Sequence, residues 1–178
     1  MMEEIKPLVS VCIPTYQHVA YIRQCLDSVL EQQTTFPFEI IIGEDDSTDG
    51  TRDICLEYAG RYPDQIRLFL RKEEEKIIIN GSKTGRYNIL QNFKEAKGKY
   101  ISMLDGDDYW CDKKKLQKQV DFLEAHPGHV ICFHRTLKNI GGIEDLAPSA
   151  FRKWNTPRTL SITDLAAGEY FILTCSCM

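Results

Sequence analysis

Two acidic clusters in this chain each follow an apolar run: Ile40-Ile41-Ile42-Gly43-Glu44-Asp45-Asp46-Ser47 and Ile101-Ser102-Met103-Leu104-Asp105-Gly106-Asp107-Asp108. Together they bring six carboxylates. Carboxylates crowded at one edge repel one another unless they are solvated or a divalent cation and its ligand sit among them. Asp105-Gly106-Asp107 is a D-x-D pattern. Two carboxylates one residue apart on a tight turn can converge on one hard cation. Mg²⁺ or Mn²⁺ prefers such oxygen ligands and shares its shell with phosphate oxygens. Gly106 lets the backbone turn sharply and approach a ligand. The chemistry indicated is a metal-dependent site for a phosphorylated ligand. The competing reading of the second cluster is a solvated acidic turn ahead of a helix near Asp112. In the first cluster, Ser47 and Asp49 are accounted for as helix caps. Glu44 and Asp45 sit too early for that, and a carboxylate at a strand end can accept a hydrogen bond from a base N–H.

Positioning these groups requires buried strands. Short apolar runs stopped by Gly, Pro or Asp read as strands at 8–13 (ended by Pro14), 39–43, 66–70, 100–104, 130–133 and 170–175, with 77–79 a short strand or loop anchor. Helical spacing marks 19–32, a helix capped by Ser47 or Asp49 and running to about Tyr62, a helix with Tyr87, Leu90, Phe93 and Ala96 as its apolar face, and one after Asp112 with Leu116, Val120 and Leu123. Leu56 is assigned to the apolar side of the second helix. Arg71–Lys76 reads as a solvated charged loop, 80–85 as a turn-rich loop, and 141–159 as loop. Ser161-Ile162-Thr163-Asp164 has the form of a capping box opening a short helix that ends at Gly168. The alternation of strand and helix predicts an α/β fold, a mostly parallel sheet with helices on both faces. Ligands of such sheets bind at the carboxyl ends of the strands.

With 178 residues the chain is long enough for one core, and residues 1–178 read as a single domain. Hydrophobic content is 43% and net charge −4, which argues against a nucleic-acid surface. No apolar run approaches the ~20 residues that span a bilayer, and no signal-peptide apolar region follows Met1-Met2-Glu3-Glu4. A cytoplasmic protein is expected, with peripheral contact at the inner membrane face left open. The seven cysteines read as structural thiols in a reducing compartment, Cys175 and Cys177 sharing a strand face. His126, His129 and His134 lack a third-ligand pattern for a metal. The apolar run 170–178 ends without a polar tail, so the chain is expected to be truncated at its C-terminus.

Val9-Ser10-Val11-Cys12-Ile13-Pro14-Thr15-Tyr16-Gln17 resembles the opening V-S-V-I-I-P-T-Y-N of family 2 glycosyltransferases. Cys25-Leu26-Asp27-Ser28-Val29-Leu30-Glu31-Gln32 resembles their C-L-x-S-V-L-x-Q helix. Ile40 to Thr51 resembles I-I-V-D-D-G-S-T-D-G-T. Lys97–Ile101 followed by Asp105-Gly106-Asp107-Asp108-Tyr109-Trp110 resembles G-x-Y-I and then D-x-D-D-x-W. The matches keep the family's order over residues 8 to about 125. The resemblance implies the nucleotide-sugar-binding half of a GT-A fold, acting in polysaccharide or cell-envelope biosynthesis. It implies that Pro14, Thr15 and Tyr16 frame base and ribose, that Asp45 accepts from the base, usually uracil, that Asp105 and Gly106 lie near ribose and metal, and that Asp107, helped by Asp105, holds Mn²⁺ or Mg²⁺. Asp108 is a weaker candidate that orients its neighbours. The implied partners are a UDP-sugar donor and a glycan or lipid-linked acceptor, with inversion at the anomeric carbon.

Glu44 stands where the family usually has Asp, and Asp46 where it often has Gly or Asn. The usual Arg-Asn pair before the helix of residues 88–97 is absent, leaving Lys83 or Arg86-Tyr87-Asn88 as alternative diphosphate contacts. The family's general base, an acid in a later motif, has no match before Met178; Asp164 and Glu169 sit in the short capped helix and are not promoted to it. Two other classes stay open. A nucleotidyltransferase would carry a Gly- and Lys-rich phosphate loop where Pro14-Thr15-Tyr16 stands. A nucleotide-binding module would bind donor without turnover.

Overall fold

The computed structural model describes residues 6–140, 143–146, 159–166 and 172–178. In chain order the elements begin with β1 (Val9–Thr15), α1 (Ile22–Leu30), β2 (Phe38–Glu44), α2 (Thr51–Arg61) and β3 (Ile66–Leu70). There follow β4 (Ile77–Ile79), β5 (Ser82–Thr84), α3 (Arg86–Glu95), β6 (Tyr100–Met103) and α4 (Lys115–Ala125), then β7 (Leu137–Ile140), β8 (Ile143–Leu146) and α5 (Ile162–Ala166). Four strands form a parallel sheet in the order β3-β2-β1-β6. β4 with β5, and β7 with β8, form antiparallel hairpins.

Strand periodicity divides the sheet into two unlike faces. Val9, Val11, Ile13, Ile40, Ile42 and Ile66 belong to one core cluster with Ile22, Cys25, Leu26 and Val29 of α1 and Ile54, Cys55 and Tyr58 of α2. The opposite face carries Ser10, Glu39 and Gly43 and is covered by α3. There Ser10 Oγ donates to Glu39 Oε1 at 2.6 Å, the Lys97 N–H donates to the same oxygen at 2.8 Å, and Arg67 Nη1 donates to Glu39 Oε2 at 3.1 Å. Burial alone would raise the Glu39 pKa; these hydrogen bonds outweigh it and hold the carboxyl below its usual range. α3 approaches because Gly43 has no side chain: a Cβ there would lie 1.9 Å from Asn88 Oδ1. Asn88 Nδ2 instead donates to Gly43 O at 2.7 Å.

The chain lays β2 and β3 on one side of β1, then returns to the other side for β6. The strand order therefore reverses between β1 and β6. At such a reversal, beyond the carboxyl ends of the strands, open α/β sheets take their ligands.

Several expectations are corrected. Pro14 does not end the first strand; it pairs with Gly43 inside β1. Backbone groups alternate sides along a strand. Thr15 O accepts from Asp45 on the β2 side, and Pro14 O accepts from Gly106 on the β6 side. Pro14's missing N–H thus faces β6, whose pairing with β1 stops at Met103. The expected strand at 130–133 is irregular, with Val130 96% exposed. Residues 174–176 form a single 3₁₀ turn, not a strand, and Cys132 and Met178 exchange both backbone hydrogen bonds at 3.0 Å. α1 begins only at Ile22, leaving Val19 exposed in a turn; Leu56 and Leu90 also face outward. The buried residues of α3 are Asn88 and Asn92, not an apolar stripe. β8 lies within the stretch expected to be loop, while 147–158, Gly168 and Glu169 fall outside the described residues. The capping box is present: Asp164 Oδ2 accepts from the Ser161 N–H at 2.7 Å, and the Asp164 N–H donates to Ser161 Oγ at 3.2 Å. Among the described residues, no helix is long and apolar enough to cross a membrane.

Candidate functional site

Both acidic clusters are stitched to the end of β1. The Asp45 N–H donates to Thr15 O at 3.0 Å and the Gly106 N–H donates to Pro14 O at 3.1 Å. One strand end thus gathers Pro14, Thr15, Tyr16, Asp45, Asp105 and Gly106. A Cβ on Gly106 would lie 2.4 Å from Thr15 Oγ1 and 2.8 Å from His18 Nδ1. This turn therefore needs glycine for space.

On the β2 side the three consecutive acids separate in role. Glu44 is fully buried, accepts the Ser47 N–H at 2.7 Å, and pairs with Arg52 Nε at 2.5 Å. It anchors the loop and is not presented to a ligand. Asp46 adopts φ 65°, a left-handed conformation that Gly, Asn and Asp tolerate best. That geometry fits the Gly or Asn expected at this position. Asp46 also pairs with Arg52 Nη2 at 3.0 Å. Asp45 remains. Burial pushes its carboxyl above the usual range, against the pull of Lys76, with Glu44, Glu73 and Asp46 pushing the same way as burial.

Lys76 is the residue that the sequence reading missed. Its side chain is 5% exposed, with Nζ 3.6 Å from the centre of the Tyr16 ring, 3.9 Å from Asp45 Oδ2 and 2.6 Å from Glu73 Oε2. Burial opposes its charge, but the hydrogen bond to Glu73 and the Asp45 carboxylate outweigh that, and its pKa is raised. Glu73–Glu75 form a short 3₁₀ turn whose end carries Lys76 inward. The available signal was the following Ile77-Ile78-Ile79, which fixes Lys76 beside an ordered strand. Lys83 pairs with Glu73 at 2.8 Å on the surface, and Asn88 Nδ2 donates to Gly43 O at 2.7 Å.

Side chains from both sides tie the loop after β1 to that after β2, among them Ser47 and Asp49. Ser47 Oγ accepts the Gln17 N–H at 3.0 Å, with Gln17 at φ 57°. Asp49 Oδ2 accepts the Val19 N–H at 3.0 Å and its Oδ1 the Thr51 N–H at 3.0 Å. Asp49 thus supports the start of α2, whereas Ser47 serves the neighbouring loop.

On the β6 side, Asp107 is half exposed and its Oδ2 lies 3.9 Å from His18 Nε2. Asp105 Oδ2 accepts from Thr174 Oγ1 at 2.6 Å. Asp108 is raised by burial and by the neighbouring Asp107 and Asp105, against a hydrogen bond with Cys175. His18 and Thr174 carried no sequence signal, since neither repeats at a motif spacing. No three His, Cys, Asp or Glu side chains among the described residues gather closely enough to hold a metal ion. The donor set fits a hard cation that completes its shell with ligand oxygens and water, and not a closed protein cage. His126 stacks on the Phe122 ring and His129 meets that ring edge-on, and all seven cysteines are free thiols.

The described geometry matches known proteins. The model of "Glycosyl transferase family 2" matches residues 10–178. An uncharacterized protein of Mycobacterium tuberculosis is 40% identical over 162 residues, covering 88% of this chain and 42% of that protein. The chain thus spans about two fifths of the length of such curated relatives. The structure of TarS from S. aureus in complex with UDP-GlcNAc superposes with a TM-score of 0.58 at 26% identity, covering 82% of this chain and 38% of that one. The mannosyltransferase PcManGT from Pyrobaculum calidifontis, in complex with GDP-Man and Mn²⁺, gives 0.53 at 26% identity, over 66% and 32%. The sheet, its reversal at β1 and β6, and these matches place the fold among GT-A enzymes, and the chain belongs to glycosyltransferase family 2.

Proposed function

We propose that the region at the ends of β1, β2 and β6 binds a UDP-sugar and that the protein of which this chain forms part transfers the sugar to a glycan or lipid-linked acceptor with inversion. The observation that carries this reading is the attachment of both acidic loops to Pro14 and Thr15, with Asp45 buried on one side and Asp107 half exposed on the other. Solved neighbours bound to UDP-GlcNAc and to GDP-Man with Mn²⁺ support it.

In this reading Pro14, Thr15 and Tyr16 frame the base and ribose, and Asp45 accepts a hydrogen bond from the uracil N–H. Asp105 and Gly106 lie along the ribose and diphosphate. Asp107, with the free oxygen of Asp105, would hold Mn²⁺ or Mg²⁺, which when bound neutralises charge on the departing diphosphate. Lys76 supplies a second positive charge from the protein. The residue that deprotonates the acceptor hydroxyl is not assigned.

The test is calorimetry of UDP binding with saturating Mn²⁺, followed by assay of transfer from UDP-sugars. UDP binding that requires the metal and is lost in Asp107→Ala supports the reading. Equal affinity in wild type and Asp107→Ala refutes the metal assignment. Tight donor binding with no transfer by the full-length protein would identify a binding module without turnover.

A further inference from the structure

Three consecutive carbonyls of the segment 172–178 are each met by a side chain from a different part of the body. Trp110 Nε1 donates to Cys175 O at 3.0 Å, Gln119 Nε2 to Ser176 O at 2.9 Å, and Ser102 Oγ to Cys177 O at 3.0 Å. Behind these donors lies Lys115, only 4% exposed. Its amine donates to Ser102 Oγ at 2.5 Å and to Cys177 O at 3.5 Å, and sits 3.9 Å from the centre of the Trp110 ring. Its amine meets a hydroxyl, a carbonyl and an indole; among the described residues it pairs with no carboxylate. A buried ammonium without a counter-charge is costly. A methionine would fill the space without that cost, so packing alone does not explain a lysine here.

The segment it touches reaches the acidic loop. Thr174 Oγ1 donates to Asp105 Oδ2 at 2.6 Å, and Cys175 shares a hydrogen bond with the Asp108 carboxyl. We propose that Lys115 is a positioning residue: its buried amine latches residues 172–178 in place, and the latched segment sets the Asp105 and Asp108 carboxyls through Thr174 and Cys175. The importance of those carboxyls rests on the proposed function; the latch itself does not.

Burial pushes Lys115 down to about 7. The groups around it are the thiols of Cys132, Cys175 and Cys177, with His134 and Asp112 nearby. Release of the segment would let water reach the amine and return it toward 10.5. A docked-state value below the released value means docking strengthens as pH rises from about 7 toward 10.5.

Amide hydrogen exchange on the 178-residue chain tests this. After correction for intrinsic rates, protection of the Ser176 and Met178 amides in wild type should rise roughly twenty-fold between about pH 6.5 and about pH 8.5, as linkage requires. The Asp108 amide, which donates to Asp105 O at 2.9 Å, should follow. Lys115→Met removes the titrating group and should abolish the rise. Lys115→Gln keeps a neutral donor and should leave the segment protected at both pH values. A rise that persists in both variants, or is missing in wild type, overturns the latch. A segment that responds while the Gly106 and Asp108 amides do not overturns the positioning of the loop. Failure of wild type to bind UDP and Mn²⁺ would refute the proposed function and leave these exchange readings standing.

Discussion

Gly106→Ala is the sharpest probe of how the acidic loop is held. The new methyl group would fall 2.4 Å from Thr15 Oγ1, 2.7 Å from Thr15 Cβ and 2.8 Å from His18 Nδ1. Ordinary contact to the nearest of these requires about 1 Å of movement. Thr15 lies in the fully buried β1 and cannot yield, so the loop must move instead. The Gly106 N–H bond to Pro14 O, at 3.1 Å, then breaks. Overpacking of this kind costs about 1–3 kcal/mol. For a chain of this size that lowers the melting temperature by roughly 2–4 °C per kcal/mol. The functional loss should appear as weaker Mn²⁺-dependent UDP binding, because Asp105 and Asp107 move with the loop. Thermal melting and calorimetry of UDP with Mn²⁺ measure the two effects on the same sample. Wild-type melting together with wild-type Mn²⁺-dependent affinity in Gly106→Ala would refute the reasoning that Thr15 and Gly106 share one contact.

Asp45→Asn should weaken UDP binding by about 1–3 kcal/mol, as for loss of a charged hydrogen-bond partner; unchanged UDP affinity with weakened pyrophosphate binding would move Asp45 into the phosphate region. Because burial raises Asp45, wild-type UDP affinity should fall on acidification at a pH above the usual carboxylate range, through protonation of the accepting group, and Asp45→Asn should show no such limb in titrations against pH. Lys76→Met removes the charge that opposes the Asp45 shift, so the Asp45 carboxyl followed by NMR should titrate at still higher pH than in wild type. Glu44→Gln should destabilise the fold by roughly 1–3 kcal/mol in urea denaturation, since it weakens a buried charged bond to Arg52; an unchanged midpoint would show that the pair contributes nothing.

Much of this architecture was legible along the chain. The runs Val9–Ile13, Ile40–Ile42 and Ile66–Leu70 are short, apolar and stopped by small or acidic residues. Local propensity and period suffice for such elements, so the parallel sheet and the placement of both acidic clusters at strand ends followed directly. For the chemistry the sequence supplied an expectation, since carboxylates at D-x-D spacing after a strand suit a hard cation that in turn holds phosphate oxygens. Tertiary structure decided which carboxylates remain available. Glu44, Asp45 and Asp46 are near equivalents in sequence, yet one is consumed by Arg52, one holds a left-handed turn, and one is left beside Tyr16 and Lys76. It also decided that Lys76, in a stretch that reads as a solvated charged loop, and Lys115 turn inward. The physical reason is common to both: a lysine's long stem lets distant neighbours choose where its charge goes. Those neighbours, Tyr16 for Lys76 and the segment 172–178 for Lys115, lie about sixty residues away along the chain, where no local pattern can point to them.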